Sequence, residues 1–211
     1  MDPMTHTPLK PLTNLEMDGE LKARYPVLVG KLLWVSNTVW PNISFAVNTL
    51  ACPMSKPTEA MQVALQIVKY LNQTQDKVLR LGGRNEDEPA IVAYTDSNWA
   101  SDPSMDRRST LDSIIKIFGS VVTWNSHVQK HVSDSAFEAE YVAGLAAMHE
   151  ALFHWHLLHG LGFRDHVLVI LTDNIRCVQV AKDQALHSRP KHIDTKYHLI
   201  HNHIMKGDIT M

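Results

Sequence analysis

The chain has 211 residues, 45% of them hydrophobic and 20% charged, a composition that builds a folded core and excludes wholesale disorder. Its length suits one ordinary domain with a smaller appendage. The formal charge of −2, with the 13 histidines neutral, excludes the broad basic field of proteins that live on nucleic-acid phosphates, so any such contact must be local.

Residues 1–25 mix Pro, Thr and charged residues without periodicity and read as a tail. From Tyr25 the pattern is helical, through Val29, Leu32, Leu33 and Val35, and Pro41 breaks it into two helices. Ile43 to Leu50 continues at helical spacing, and Pro57-Thr58 starts a third helix whose apolar stripe is Met61, Leu65, Val68 and Leu71. Residues 26–83 thus form a small helical module, closed by the polar, turn-rich segment from Gly82 to Pro89.

The texture then changes to strands, and residues 88–211 read as a second domain. Ile91 to Thr95 leads into Asp96, Ser113 to Phe118 and Val121 to Trp124 form a hairpin about Gly119-Ser120, and a long helix runs from Ser135 to about Gly160. Phe137, Tyr141, Leu145, Met148 and Leu152 mark its apolar face. Val167 to Leu171 is a buried strand, followed by helices over Ile175 to Lys182 and about Ile193 to Lys206. An α/β sheet whose first and fourth strands are parallel neighbours satisfies this order.

Two of these strands end in an acid, Asp96 and Asp173, and Glu140 lies beside the apolar stripe of the long helix. Adjacent parallel strands would bring all three to the carboxyl edge of the sheet, where open α/β sheets place their sites. Clustered carboxylates are tolerated mainly around cations, and hard oxygen ligands select Mg2+, with Mn2+ as an alternative. Asp173-Asn174 before a helix is equally a fair N-cap, so spacing leaves both readings open.

Several motifs in order resemble the ribonuclease H of copia-type retrotransposon Pol polyproteins. They are Tyr94-Thr95-Asp96-Ser97-Asn98-Trp99-Ala100, Asp106-Arg107-Arg108-Ser109-Thr110, Trp124-Asn125-Ser126, Glu138-Ala139-Glu140-Tyr141-Val142-Ala143, Thr172-Asp173-Asn174 and His187-Ser188-Arg189-Pro190-Lys191-His192-Ile193-Asp194. In the helical module, Leu28-Val29-Gly30-Lys31-Leu32-Leu33-Trp34 and Pro41-Asn42-Ile43-Ser44-Phe45-Ala46-Val47 resemble the region linking reverse transcriptase to ribonuclease H.

The resemblance implies a ribonuclease H-like mixed sheet of three antiparallel strands and a parallel fourth, with flanking helices. It also implies Asp96, Glu140 and Asp173 as catalytic metal ligands, and cleavage of the RNA strand of RNA–DNA hybrids. Arg107, Arg108, Ser109, Asn174, Arg189, Lys191 and His192 are candidate nucleic-acid contacts; the basic ones read equally as solvated charge.

Departures from the family pattern shape the expectation. There is no Asp-Asp pair of the polymerase kind, so the chain is not a complete reverse transcriptase. The family's fifth strand and the following helix with a fourth acid are expected to be missing, leaving a C-terminally truncated domain with Asp194 as a substitute ligand and an open sheet edge that could pair with another chain. Leu111-Asp112-Ser113 stands where the family tends to have small residues and an aromatic, and Asn42 where it usually has Asp.

The alternative to an enzyme is a truncated or domesticated remnant acting as a non-catalytic nucleic-acid-binding or protein-interaction module. The groups His154, His156, His159 and His198, His201, His203 lack the Cys or fourth ligand of a closed zinc site. Trp99 and Trp124 read as core rather than base-stacking platforms. Two cysteines, Cys52 and Cys177, read as buried thiols of a reducing compartment; with no apolar span or secretory signal, the expected location is soluble, cytoplasmic or nuclear, without a membrane partner.

Overall fold

A computed structural model of the chain describes residues 19–51, 60–83, 88–100, 107–163, 167–182 and 199–211. Contacts divide the chain into two compact units, Met1–Leu79 and Arg80–Met211. Among the described residues no helix is long and apolar enough to cross a membrane.

The first unit is helical. Helix α1 (Gly19–Thr38) begins inside the stretch read as a tail and carries Pro26 within it. Proline removes one backbone donor and so hides such continuity from a sequence reading. A short 3-10 turn at Pro41–Ile43 then leads into α2 (Ser44–Ala51), and α3 (Ala60–Gln73) follows. Their core joins Tyr25, Val29, Leu32, Ile43, Val47 and Leu50 to α3. The Tyr25 hydroxyl, itself buried, donates to the Leu50 carbonyl at 2.8 Å, which satisfies both groups away from water.

The buried face of α3 differs from the expected stripe. Ala60, Ala64, Ile67 and Tyr70 are buried, whereas Leu65 is 55% and Val68 39% exposed. The two stripes are one residue apart, and the small alanines let neighbouring helices approach closely, which outweighs the larger side chains on the adjoining face.

The second unit is built on a five-stranded sheet in the order β3-β2-β1-β4-β5. Strands β1 (Ile91–Asn98), β2 (Thr110–Ile117) and β3 (Ser120–Val128) are antiparallel. Strand β4 (Leu168–Leu171) runs parallel to β1, as expected from the crossover argument. This is the ribonuclease H-like arrangement, three antiparallel strands followed by parallel ones.

The β2–β3 hairpin turns through Phe118 and Gly119, both at positive φ (48° and 79°), the two-residue loop whose twist matches that of its strands. The fifth strand, expected to be missing, is present. Strand β5 (Ile209–Thr210) pairs in parallel with Leu168 and Val169, and the Leu168 N–H donates to the Asp208 carbonyl at 3.3 Å. The edge of β4 expected to stand open is therefore occupied there. Two residues are too few for an alternation signal, so the strand is set by burial of Ile209 beside Ile200 rather than by local pattern.

Helix α4 (Ala136–Gly160) covers one face of the sheet, burying Tyr141, Met148 and Leu152 against Ile91, Ala93, Ile115 and Ile170. Ser135 caps it, accepting the Glu138 N–H at 3.2 Å, while the Glu138 carboxylate accepts the Asp134 N–H at 2.9 Å. Helix α5 (Ile175–Lys182) follows β4, and residues 199–205 are helical.

Candidate metal centre

The β1–β4 register fixes two of the acids. Tyr94 pairs with Leu171 at the end of the parallel ladder, and Asp96 and Asp173 each stand two residues further along their own chains, so the two come level at the carboxyl edge. The third acid, Glu140, enters from the first turns of α4.

One oxygen from each of Asp96, Glu140 and Asp173 lies within 4.8 Å of the others. Asp96 and Asp173 are exposed, while Glu140 is only 8% exposed. Glu140 Oε1 accepts the Ser97 N–H at 3.2 Å, and its Oε2 is buried without a hydrogen-bond partner among the described residues. A buried carboxylate oxygen left unpaired is costly unless a cation or proton meets it.

Burial pushes the Glu140 carboxyl above the ordinary range, Ser97 opposes the shift, and the charges of Asp96 and Asp173 add to it. The same surroundings act on Cys177: burial first, then Glu140 and Asp173, push its thiol up to about 12. Cys177 is thus a buried, protonated thiol, as expected; Cys52 lies outside the described residues. A set of hard oxygens, one of them buried and unpaired, fits a divalent cation such as Mg2+.

The competing cap reading is resolved by geometry. Asn174 Oδ1 accepts the N–H groups of Arg176 and Cys177 at 3.1 and 3.2 Å, so Asn174 caps α5 and Asp173 is left to the acidic cluster. Asn174, offered as a nucleic-acid contact, has its side-chain oxygen engaged in that cap.

Of the other candidate contacts, Arg107 is exposed and Arg108 half-buried. Ser109 is fully buried, its hydroxyl 3.4 Å from the Ala100 N–H that it accepts, which places it inside the fold rather than on a contact surface. Asp194, Arg189, Lys191 and His192 lie outside the described residues.

Trp99, read as core, is 46% exposed; its indole N–H donates to the Ser133 carbonyl at 3.0 Å, so the ring is held by its polar end rather than by burial. Among the described residues the histidines form no metal-binding group. His154 bonds Thr123 at 2.8 Å, His201 the Ala181 carbonyl at 3.0 Å, and His203 the Asp208 carboxylate at 3.1 Å.

Two supports of the site were not legible in sequence. Buried Gln129 donates to the Ala139 carbonyl at 3.1 Å and accepts from Ser133 at 2.6 Å, which fastens the approach to α4 one residue before Glu140. Asp112 is the direct cross-strand partner of Asp96. Burial pushes its carboxyl up and the Asp96 charge adds to that, against the opposing pull of Ser126 and His127. A departure from the family motif was the only sequence signal for it.

No protein-family model matches the chain. It is 30% identical over 190 residues to the retrovirus-related Pol polyprotein from transposon TNT 1-94 of Nicotiana tabacum, covering 89% of this chain and 14% of that protein. It is 33% identical over 207 residues to the corresponding polyprotein from transposon RE1 of Arabidopsis thaliana, covering 95% and 14%. The secreted RxLR effector protein 161 of Plasmopara viticola is 32% identical over 130 residues, 61% of this chain and 89% of that protein.

Among solved structures, the prototype foamy virus protease-reverse transcriptase aligns with a TM-score of 0.43 and 18% identity, over 74% of this chain and 23% of that one. The solution structure of the foamy virus RNase H domain aligns with a TM-score of 0.38 and 20% identity, over 58% and 77%. The chain thus spans only a small part of the polyproteins that it matches. Through most of its length, the chain is homologous to the retrovirus-related Pol polyproteins of plant copia-type transposons.

Proposed function

We propose that the chain is a ribonuclease H-type endonuclease that hydrolyses the RNA strand of RNA–DNA hybrids, with Asp96, Glu140 and Asp173 holding Mg2+ or Mn2+. The observation that carries this reading is the convergence of three carboxylates from β1, α4 and the end of β4, one of them with a buried, unpaired oxygen. Bound divalent ions would supply the chemistry of phosphodiester hydrolysis, activating a water and stabilising the leaving oxygen.

The chain's own residues would do the placing. Ser97 holds Glu140 through its N–H, Gln129 fixes the start of α4, and Asn174 caps α5 so that Asp173 stays free to ligate. Arg107 and Arg108 lie just before β2 and would meet phosphates, while a hybrid would be recognised by groove shape and the 2′-OH. The helical unit would act as the connection module between polymerase and ribonuclease H, and the protein would work in the cytoplasm or nucleus.

The test is cleavage of a labelled RNA–DNA hybrid in Mg2+ or Mn2+ by the native chain and by Asp96→Asn. Metal-dependent cutting of the RNA strand alone, abolished by the substitution, is the expected result. A folded protein that cuts nothing in either metal would leave the second reading, a non-catalytic binding or interaction module. Similarity over 89% of a protein named as a secreted effector is the observation on the side of that alternative.

A further inference from the structure

The row of acids extends past Asp96 onto β2. Asp112 opposes Asp96 directly in the antiparallel ladder, and Asp96 in turn stands level with Asp173 across the β1–β4 register. Directly opposed residues of an antiparallel pair share a face, with Cβ atoms roughly 4.5–5.5 Å apart, and like charges so placed are destabilising. Two neighbouring strands and the turn that follows a third therefore each bring an Asp to this edge of the sheet. Independently, Glu140 is more than nine-tenths buried in this cluster, and among the described residues its Oε2 has no hydrogen-bond partner.

We propose that Asp112 is a positioning residue for the cation site, a fourth carboxylate that accepts hydrogen bonds from the water shell of an ion held by Asp96, Glu140 and Asp173. The inference rests on the metal reading above. Mg2+-like ions bound through a few carboxylates retain several waters, and these need acceptors fixed near the ligands. Asp112 is half-buried on a central strand of the antiparallel sheet and is held in register beside the ligand Asp96, so its carboxylate is such an acceptor. The sequence motifs of the family do not require an acid there, which makes this a property of this chain.

The experiment is calorimetric titration of the whole chain, free of nucleic acid, with Mn2+, comparing wild type, Asp112→Asn, Asp112→Glu and Asp96→Asn. Circular dichroism in EDTA reports folding of each, and Asp112→Ser replaces the Asn variant should that one fail to fold. Loss of an outer acceptor should weaken Mn2+ binding roughly 10–100-fold, the Glu variant should recover most of it, and Asp96→Asn should lose more. Unchanged Mn2+ affinity in Asp112→Asn, with Asp96→Asn impaired, overturns the inference and leaves the metal reading standing. Unchanged affinity in Asp96→Asn overturns both.

Discussion

The backbone N–H of Ser97 donates to Glu140 Oε1 at 3.2 Å, joining β1 to α4 across 43 positions of the chain. The same N–H lies 2.8 Å from Asp96 Oδ1, so one donor serves two carboxylates that repel each other. The local structure thus tolerates the acidic cluster without neutralising it, and the remaining charge is what a divalent cation would balance.

Glu140→Gln keeps an amide oxygen able to accept from Ser97 but removes the charge of a proposed ligand. Hybrid cleavage should fall by more than the roughly 10–100-fold typical of outer-shell changes, while the melting temperature in EDTA stays level or rises because a repulsive charge has gone. Parallel cleavage assays and melts check it; a variant that cuts as well as wild type contradicts the ligand role.

The carboxyls of Glu140 and Asp112 both lie above their ordinary values, each first because of burial and then because of neighbouring acids. The folded chain consequently keeps protons that the unfolded chain has released, and their contribution to stability is lost as pH rises from the ordinary carboxylate range through the raised values. Asp96 and Asp173 face Glu140, and Asp96 and His127 face Asp112. Urea unfolding in EDTA across this window should show a decline that Glu140→Gln and Asp112→Asn each flatten, and that saturating Mn2+ offsets at its upper end.

Asn174→Ala removes the α5 cap and should cost about 1 kcal/mol, with Asn174→Asp tolerated. Asp173→Asn should leave stability in EDTA unharmed, since Asp173 is not the cap. Denaturant titration of the three variants separates the two neighbours; a loss on Asp173→Asn equal to that on Asn174→Ala would show the cap to be misassigned.

In α3 the two apolar stripes make opposite predictions. Ile67→Ala, at a fully buried position, should destabilise the protein by roughly 2–5 kcal/mol. Leu65→Ala, mostly solvated, should stay within about 0.5 kcal/mol. Thermal melts decide which face is the core.

Ile209 is the buried residue of β5 and belongs to the core of the second unit. Ile209→Ala should cost roughly 2–4 kcal/mol, whereas Thr210→Ala, exposed on the same strand, should cost little. Equal, negligible effects would mean that the strand contributes nothing to the sheet.

Much of this was legible in residue order. The strand-forming run leading into Asp96, the apolar run ending before Asp173 and the Ser135 start of α4 are local patterns, written by strand and helix preferences and by a cap that acts within one turn. The parallel pairing of β1 with β4 followed from connection rules. The three acids were accessible because their motifs are short and continuous.

What the chain order left open were choices between close alternatives, and these were decided by packing. Whether Asp173 or Asn174 caps α5 depends on which side chain turns back onto the Arg176 and Cys177 amides. Which face of α3 is buried depends on how near its neighbours come, and small alanines won that contest over leucine and valine. The two-residue β5 exists through burial of Ile209 rather than through propensity, and Asp112 gains its position beside Asp96 from a cross-strand register. Sequence determined the elements and the three acids because those signals are local; the cap, the buried face, the fifth strand and the fourth carboxylate needed the tertiary structure, because each depends on a partner distant in the chain.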